Sequence, residues 1–323
     1  IILDSESWFS ITPESVAKHV TASCIGRAKG NHCKLESVLD CFSGCGGNTI
    51  PFLLQGKNVI SVDFDSQKLD NLRHNCEVYG VKQQIEHCVC VDVYALFTAM
   101  LPNEVVSQIR RDYKASFEKG EDSPVNPPDI ELIDTTSNSN CETEAVIVQS
   151  ECNSRSCSAV SSESAGNLTE TLSQNQTELN AFPGSDISNI SAHVKERCAS
   201  ADLIILSPPW GGPDYLNAKS YCLYTMLTSG CGLYLTMLAA AVCPNILHLL
   251  PVNTSVEQVQ YIAEMVGQPY VIEYISINHT PKVMAVYMGP IARNVKHVKR
   301  KRATSAVNPD FNDDSTKHMR FEE

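Results

Sequence analysis

Two hydrophobic periods alternate along residues 37–98. Ser37–Cys41 (SVLDC) is a short apolar run of strand character, Thr49–Gln55 spaces its apolar residues as a helix does until Gly56 ends it, and Asn58–Val62 (NVISV) is a strand again. Beyond Asp63, Asp65 or Ser66 can cap a helix whose apolar stripe is Leu69, Leu72, Cys76 and Tyr79, closed by Gly80, and Ile85–Val91 reads as a third strand. The pattern returns at Ala201. Asp202–Leu206 (DLIIL) and Asn245–Leu250 (NILHLL) read as strands, Leu227–Val242 and Val256–Val266 as helices, and Tyr270–Ile277 with Lys282–Met288 as a closing antiparallel hairpin. Strands that alternate with helices join in parallel through right-handed crossovers. The expected fold is therefore α/β: a doubly wound, mostly parallel seven-stranded sheet with a C-terminal antiparallel hairpin.

Between the two halves the chain turns to Ser, Asn, Thr and Glu, as in SSESAGNLTETLSQNQTELN, without a sustained apolar period. A stretch of this kind cannot bury enough surface to offset the entropy of ordering it, so it is expected to be a disordered insertion, with transient helix in parts, for example over Glu104–Phe117. The expected organisation is a first half-domain over 1–101, the insertion over 102–199, a second half-domain over 200–292, and a basic disordered tail over 293–323. Arg293, Lys296, Lys299, Arg300, Lys301 and Arg302 crowd that tail, which suits RNA contact or a nuclear address equally with plain solvation. The insertion is a candidate site for protein partners.

Charge and composition narrow the function classes. A formal net charge of -12 on 323 residues excludes a protein that coats nucleic acid non-specifically, so any such partner must meet a local patch. The 14 cysteines form no CxxC pair and no Cys/His ligand spacing, which predicts buried thiols in a reducing compartment and no metal. The start IILDSESWF lacks a basic n-region, and no run of 18 apolar residues occurs, so neither secretion nor membrane insertion is expected.

The chemistry gathers at strand ends. DCFSGCGG (Asp40 to Gly47) links the first strand to its helix, where a doubly wound sheet binds nucleotides. Its spacing, G-x-G-G at Gly44, Gly46 and Gly47, is not that of a dinucleotide site, and Asp40 just before the turn suits a cation better than a pyrophosphate. Asp63 ends the second strand where a carboxylate can accept ribose hydroxyls, and Asp92 ends the third within reach of an adenine amine. Each acid alone is better explained as a cap or turn residue. Together with the glycine loop they point to S-adenosylmethionine. Past the fourth strand comes SPPWGGPDY. Prolines fix the backbone there and leave the carbonyls of Ser207 and Pro208 as rigid acceptors for a flat amine, while Trp210 either offers a face for a base or plugs the core beneath a proline turn.

VLDCFSGCGGNTIPF, VISVDFD and LSPPWGGPDY, with WFSITPE upstream at Trp8 to Glu14, resemble the trimethylguanosine synthases, over about residues 8–98 and 201–290. The resemblance implies a class I methyltransferase fold that moves two methyl groups from S-adenosylmethionine to N2 of a 7-methylguanosine cap, giving 2,2,7-trimethylguanosine on small nuclear and nucleolar RNAs, in a nuclear and monomeric enzyme. It implies that Thr12, Asp40, Gly44, Thr49, Asp63 and Asn75 line the cofactor, that Ser207 and Pro208 hold the amine, that Trp210 stacks on the base, and that Tyr215 and Asn253 face the cap. Where the family carries Pro-Arg-Asn, this chain has Pro251-Val252-Asn253. Lys18, Arg27, Lys29, Lys34 or the tail cluster are candidate replacements for that arginine's phosphate contact. Two other readings of the residues stand beside this one: an amino methyltransferase for adenine N6 or a glutamine amide, and a degenerate fold kept as an interaction module.

Overall fold

A computed structural model describes residues 1–81, 85–118, 132–133, 143–148, 190–212, 215, 218–224 and 231–293. Its strands, in chain order, are β1 (Ser37–Asp40), β2 (Asn58–Asp63), β3 (Ile85–Cys90), β4 (Leu132–Ile133), β5 (Thr143–Val148), β6 (Leu203–Leu206), β7 (Ile246–Leu250), β8 (Tyr270–Ile277) and β9 (Thr280–Met288). They form one sheet in the order β3-β2-β1-β6-β7-β9-β8-β5-β4. The pairs β2/β3, β1/β2, β1/β6 and β6/β7 are parallel, and β7/β9, β8/β9, β5/β8 and β4/β5 antiparallel. The expected seven-stranded frame is there, and β5 and β4 extend it past β8.

Strands β1, β6 and β7 are buried at every position, the mark of central strands covered on both faces and the reason their sequences run apolar without alternation. Successive residues still serve opposite cores. Leu39, Ile204, Leu206 and Ile246 face one layer; Val38, Leu203, Ile205 and Leu247 face the other. The first layer holds helices α5 (Val93–Met100) and α8 (Gly232–Val242), the second α2 (Glu14–Gly30) and α3 (Thr49–Leu54). Helix α4 (Ser66–Val78) is capped by Asp65, which accepts from the amides of Gln67 and Lys68, and α9 (Val256–Met265) by Ser255. No helix among the described residues is long and apolar enough to cross a membrane.

The boundary placed at residue 102 falls one helix too early. Asn103–Glu118 is helix α6. Val106 and Ile109 are buried on it, and Tyr113 brings its ring centroid to 5.2 Å from that of Tyr234 on α8. Apolar residues at 106, 109 and 113 make a helical stripe that the polar composition around it obscures. At the far end of the same span, Ala192–Ala199 is helix α7, with Cys198 in the core. Strand β5 also lies within it, paired with β8 from Thr143↔Ile277 to Val148↔Ile272. Most of the insertion outside these elements and β4, the tail beyond Arg293 and the start of the expected 227–242 helix lie outside the described residues.

One buried charge ties α2 to the antiparallel strands. Glu273 on β8 meets His19 (Nε2–Oε1 2.7 Å), the Tyr287 hydroxyl, which donates to Oε2 at 2.7 Å, and Arg27 at 3.9 Å. The Arg27 guanidinium lies 4.2 Å from the Tyr287 ring centroid, and the residue is 5% exposed. Arg27 is thus a structural cation, which removes it from the candidate phosphate contacts. Lys34 pairs with Asp202 and Lys18 with Glu14.

Candidate active site

The strand order reverses between β1 and β6, so their carboxyl ends open the crevice where ligands of open α/β sheets bind. The glycine loop on the β1 side is fastened to the end of β2. Ser43 donates both its amide (3.0 Å) and its hydroxyl (3.2 Å) to the Val62 carbonyl, and the Gly44 amide donates to Asp63 Oδ2 at 2.9 Å. Gly44 has φ +48 and open space where a side chain would go. Gly47 is needed for another reason: a Cβ there would lie 2.7 Å from Ile11, which brings the N-terminal segment down onto the loop.

The structure distributes the three strand-end acids unequally. Asp40 is fully buried, with Oδ2 accepting from Thr49 Oγ1 at 2.7 Å, and Thr49 Oγ1 lies 3.0 Å from Ser61 Oγ. Asp40 Oδ1 has no hydrogen-bond partner. Burial pushes its pKa up to about 7; the Thr49 bond opposes, the Asp63 charge adds, and the Phe42 amide pulls weakly down. Asp63 is also raised by burial, against the Asp65 and Gly44 amides it accepts from. Asp92 caps α5 by accepting from the Ala95 amide at 2.9 Å, so its position serves the helix whether or not it also meets a ligand.

Asn75 turns out to be a clamp. Its Nδ2 donates to the carbonyls of Ile2 and Cys45, each at 2.9 Å, and its Oδ1 accepts from the Ile2 amide at 2.6 Å, joining the N-terminal segment to the glycine loop. Asp4 and Ser7 press on the same loop: Ser7 Oγ donates to Asp4 Oδ2 at 2.8 Å and lies 3.2 Å from Cys45 Sγ. Ser7 opens α1 (Ser7–Ser10), the short WFS helix, whose Trp8 and Phe9 are exposed. Thr12 follows it and lines, with Gly46, Gly47, Asn75 and Tyr79, a cavity of about 170 Å³ between this segment and α3.

Across the crevice, Ser207 Oγ donates to the Phe42 carbonyl at 3.3 Å and accepts from Asn48 Nδ2 at 3.2 Å, which draws the SPPW segment against the glycine loop. Pro208 is buried and Trp210 half-buried. The indole Nε1 donates to the Leu249 carbonyl of β7 at 3.2 Å, and Tyr215 meets the ring edge-on at 5.3 Å and 86°. Asn253 shapes the same loop from behind: Nδ2 donates to the carbonyls of Tyr215 (3.0 Å) and Ala218 (2.9 Å), and its own carbonyl accepts from the Tyr221 amide at 2.8 Å. Its Oδ1 is buried without a partner, as is Asn48 Oδ1. Asn48 was not singled out in the sequence, where it falls within the glycine turn FSGCGGNT.

Asp40 Oδ1, Asn48 Oδ1 and Asn253 Oδ1 are thus three buried acceptors without donors: Asp40 ends β1, Asn48 opens α3, and Asn253 lies just past β7. An unmet buried acceptor is costly, about 1–3 kcal/mol each, and is relieved by a ligand that brings N–H groups or positive charge. S-adenosylmethionine, cationic at sulfur and at its ammonium, fits the Asp40 carboxylate at the end of β1.

Strand order, switch-point crevice and antiparallel closing strands define a class I methyltransferase fold of Rossmann-like architecture. The family model for RNA cap guanine-N2 methyltransferases matches residues 35–291, and the chain belongs to that family. Trimethylguanosine synthase of Schizosaccharomyces pombe is 35% identical over 115 residues, 36% of this chain and 43% of the relative. The Saccharomyces cerevisiae trimethylguanosine synthase is 35% identical over 88 residues, 26% of each chain. The chain therefore spans less than half the length of these curated relatives. Among solved structures, a SAM-dependent methyltransferase from Agrobacterium tumefaciens aligns over 87% of this chain and 64% of its own at 8% identity and a TM-score of 0.36, too loose to add to the topology described above.

Proposed function

We propose that this chain transfers methyl groups from S-adenosylmethionine to the exocyclic N2 of a 7-methylguanosine cap on small nuclear and nucleolar RNAs, giving 2,2,7-trimethylguanosine, and that it does so in the nucleus. Family membership supports the reading, and the observation that carries it is that the glycine loop after β1 and the SPPW segment after β6 are hydrogen-bonded to each other at the β1/β6 switch, through Ser207 with Phe42 and Asn48. The cofactor supplies an activated methyl on a sulfonium. Asp40, Thr49, Gly44 and Asp63 hold its place at the ends of β1 and β2; the Ser207 and Pro208 carbonyls orient the amine; Trp210 stacks on the base. Methylation at N7 leaves that base positively charged, so the stack gains a cation–π contribution that plain guanine lacks. No strong general base is required, because alignment supplies much of the rate and the ammonium product loses its proton to solvent. Incubation with S-adenosylmethionine and a free 7-methylguanosine nucleotide, followed by mass analysis, should show a gain of one and then two methyl groups. Methylation of adenine or glutamine acceptors with none of the cap nucleotide would overturn the reading.

Two further outcomes follow from the geometry. A cation beside Asp40 favours its carboxylate, so cofactor binding expels a proton from a group that titrates at about 7 in the ligand-free protein. Calorimetry should find cofactor affinity falling below that pH by up to about tenfold per unit, a slope absent in Asp40→Asn. The sign for stability is the reverse: folding stability of the ligand-free protein declines as pH rises from the ordinary Asp value of 3.8 toward about 7, because the folded state holds the proton longer.

The second outcome concerns phosphate. Val252 brings no charge, but Asn253 pins the turn at Ala218, and the next residue, Lys219, is exposed and pairs with no carboxylate among the described residues. Lys219→Ala should weaken binding of a cap nucleotide with its phosphates and leave the nucleoside unaffected. It should also flatten the log–log salt slope by about 0.7–0.9. An unchanged slope would mean that Lys219 stays in solvent.

A further inference from the structure

Asn48 occupies the N-cap position of α3 but does not cap it: its backbone is already helical (φ -92, ψ -34) and its side chain makes no capping bond. The side chain, on a residue only 7% exposed, turns instead to Ser207. Because the Ser207 hydroxyl proton is committed to the Phe42 carbonyl, Asn48 Nδ2 has to be the donor in the second bond, which fixes the amide's orientation. Ser207 Oγ is left with an unused lone pair on a partly buried residue, and Asn48 Oδ1 is left as a buried acceptor. Both lie on the seam between the methyl-donor loop and the acceptor loop.

We propose that Asn48 is a positioning residue for methyl transfer. With the Phe42 carbonyl it holds the Ser207 hydroxyl as an acceptor only, so that the slot takes a substrate arriving as an N–H donor, an exocyclic amine, and rejects one that presents a carbonyl or ring nitrogen at the same point. A hydroxyl free to rotate would accept either. The inference rests on the amine acceptor proposed above.

The test is a double-mutant cycle of Asn48→Ala and Ser207→Ala, read as kcat and KM for a 7-methylguanosine nucleotide and as cofactor affinity by calorimetry. Asn48→Ala should lower kcat roughly ten- to a hundredfold and leave cofactor affinity within about twofold. In the Ser207→Ala background it should cost no more than about another twofold, since the two side chains act as a unit. Additive losses, or cofactor affinity falling in step with kcat, would overturn the proposal. Should Asn48→Ala fail to fold, Asn48→Asp keeps the shape but accepts the hydroxyl proton instead of donating, which re-aims the lone pairs; full activity in that variant overturns the proposal, and a comparable loss of kcat supports it. An inactive wild type would overturn the function proposed above as well, whereas an active wild type with additive losses overturns this inference alone.

Discussion

Replacing Trp210 with alanine is expected to lower methyl transfer at least about tenfold, and up to a few thousandfold, while cofactor affinity stays within about threefold. Losing a base stack removes about 1–3 kcal/mol, and the cation–π contribution of a charged base adds about 0.5–2 kcal/mol depending on desolvation. Together these correspond to a factor of roughly 10 to a few thousand in transfer efficiency at about 1.4 kcal/mol per tenfold. The structure gives the indole a second job, because it packs against both core layers, donates to the Leu249 carbonyl and meets Tyr215 edge-on. Trp210→Ala should therefore also lower the melting temperature, and that loss must be separated from the catalytic one. Trp210→Phe separates them: it gives up the Leu249 bond and some packing but keeps a flat face, so it should be destabilised yet retain most of the transfer. Kinetics and melting curves on both variants check this. If cofactor affinity fell in step with transfer in Trp210→Ala, the ring would be a structural plug and not a platform for the base.

Much of this site was legible from local pattern. Apolar runs such as LIIL and ILHLL mark strands buried on both faces, and acids or prolines directly after such runs mark strand ends, so Asp40, Asp63 and Ser207 could be placed before any coordinates. What stayed hidden depends on contacts across the chain. Asn75 reaches Ile2 over 73 residues and Asn48 reaches Ser207 over 159, and nothing in the neighbourhood of either asparagine announces the partner. Asp92 illustrates the opposite case, in which the local role, capping α5, is the one the structure displays. Helix α6 was read only as a transient helix because its stripe of Val106, Ile109 and Tyr113 is set among charged residues, and Arg27 looked available for phosphate because its burial depends on a carboxylate contributed by β8.

That carboxylate is the subject of the second large effect: Glu273→Ala should destabilise the fold by about 3–5 kcal/mol, because it strands the buried Arg27 charge without its partner. Arg27 Nη1 already lacks a hydrogen-bond partner, so the variant leaves the buried charge with the face of Tyr287 and no carboxylate among the described residues. For a domain of this size the change amounts to a drop in melting temperature of about 10 °C. Burial by itself would raise the Glu273 pKa, but the His19 bond and charge, the Arg27 charge and the Tyr287 hydroxyl outweigh it and hold the carboxyl below its ordinary value of 4.5. The stability this contributes is present above about that pH and is lost as pH falls through the lower folded value. In Glu273→Gln that acid-side slope should disappear, although the amide preserves the shape. The network clamps α2 to β8 and β9, and α2 begins just past Ile11 and Thr12, the residues that lean on the glycine loop. Its loss should therefore show as earlier melting, with kcat at low temperature within about threefold of wild type, since none of its members reaches the crevice. A melting temperature unchanged in Glu273→Ala would mean that the desolvation penalty of the buried charges cancels their attraction, and that α2 is held by its apolar face of Val16, Val20 and Cys24 alone.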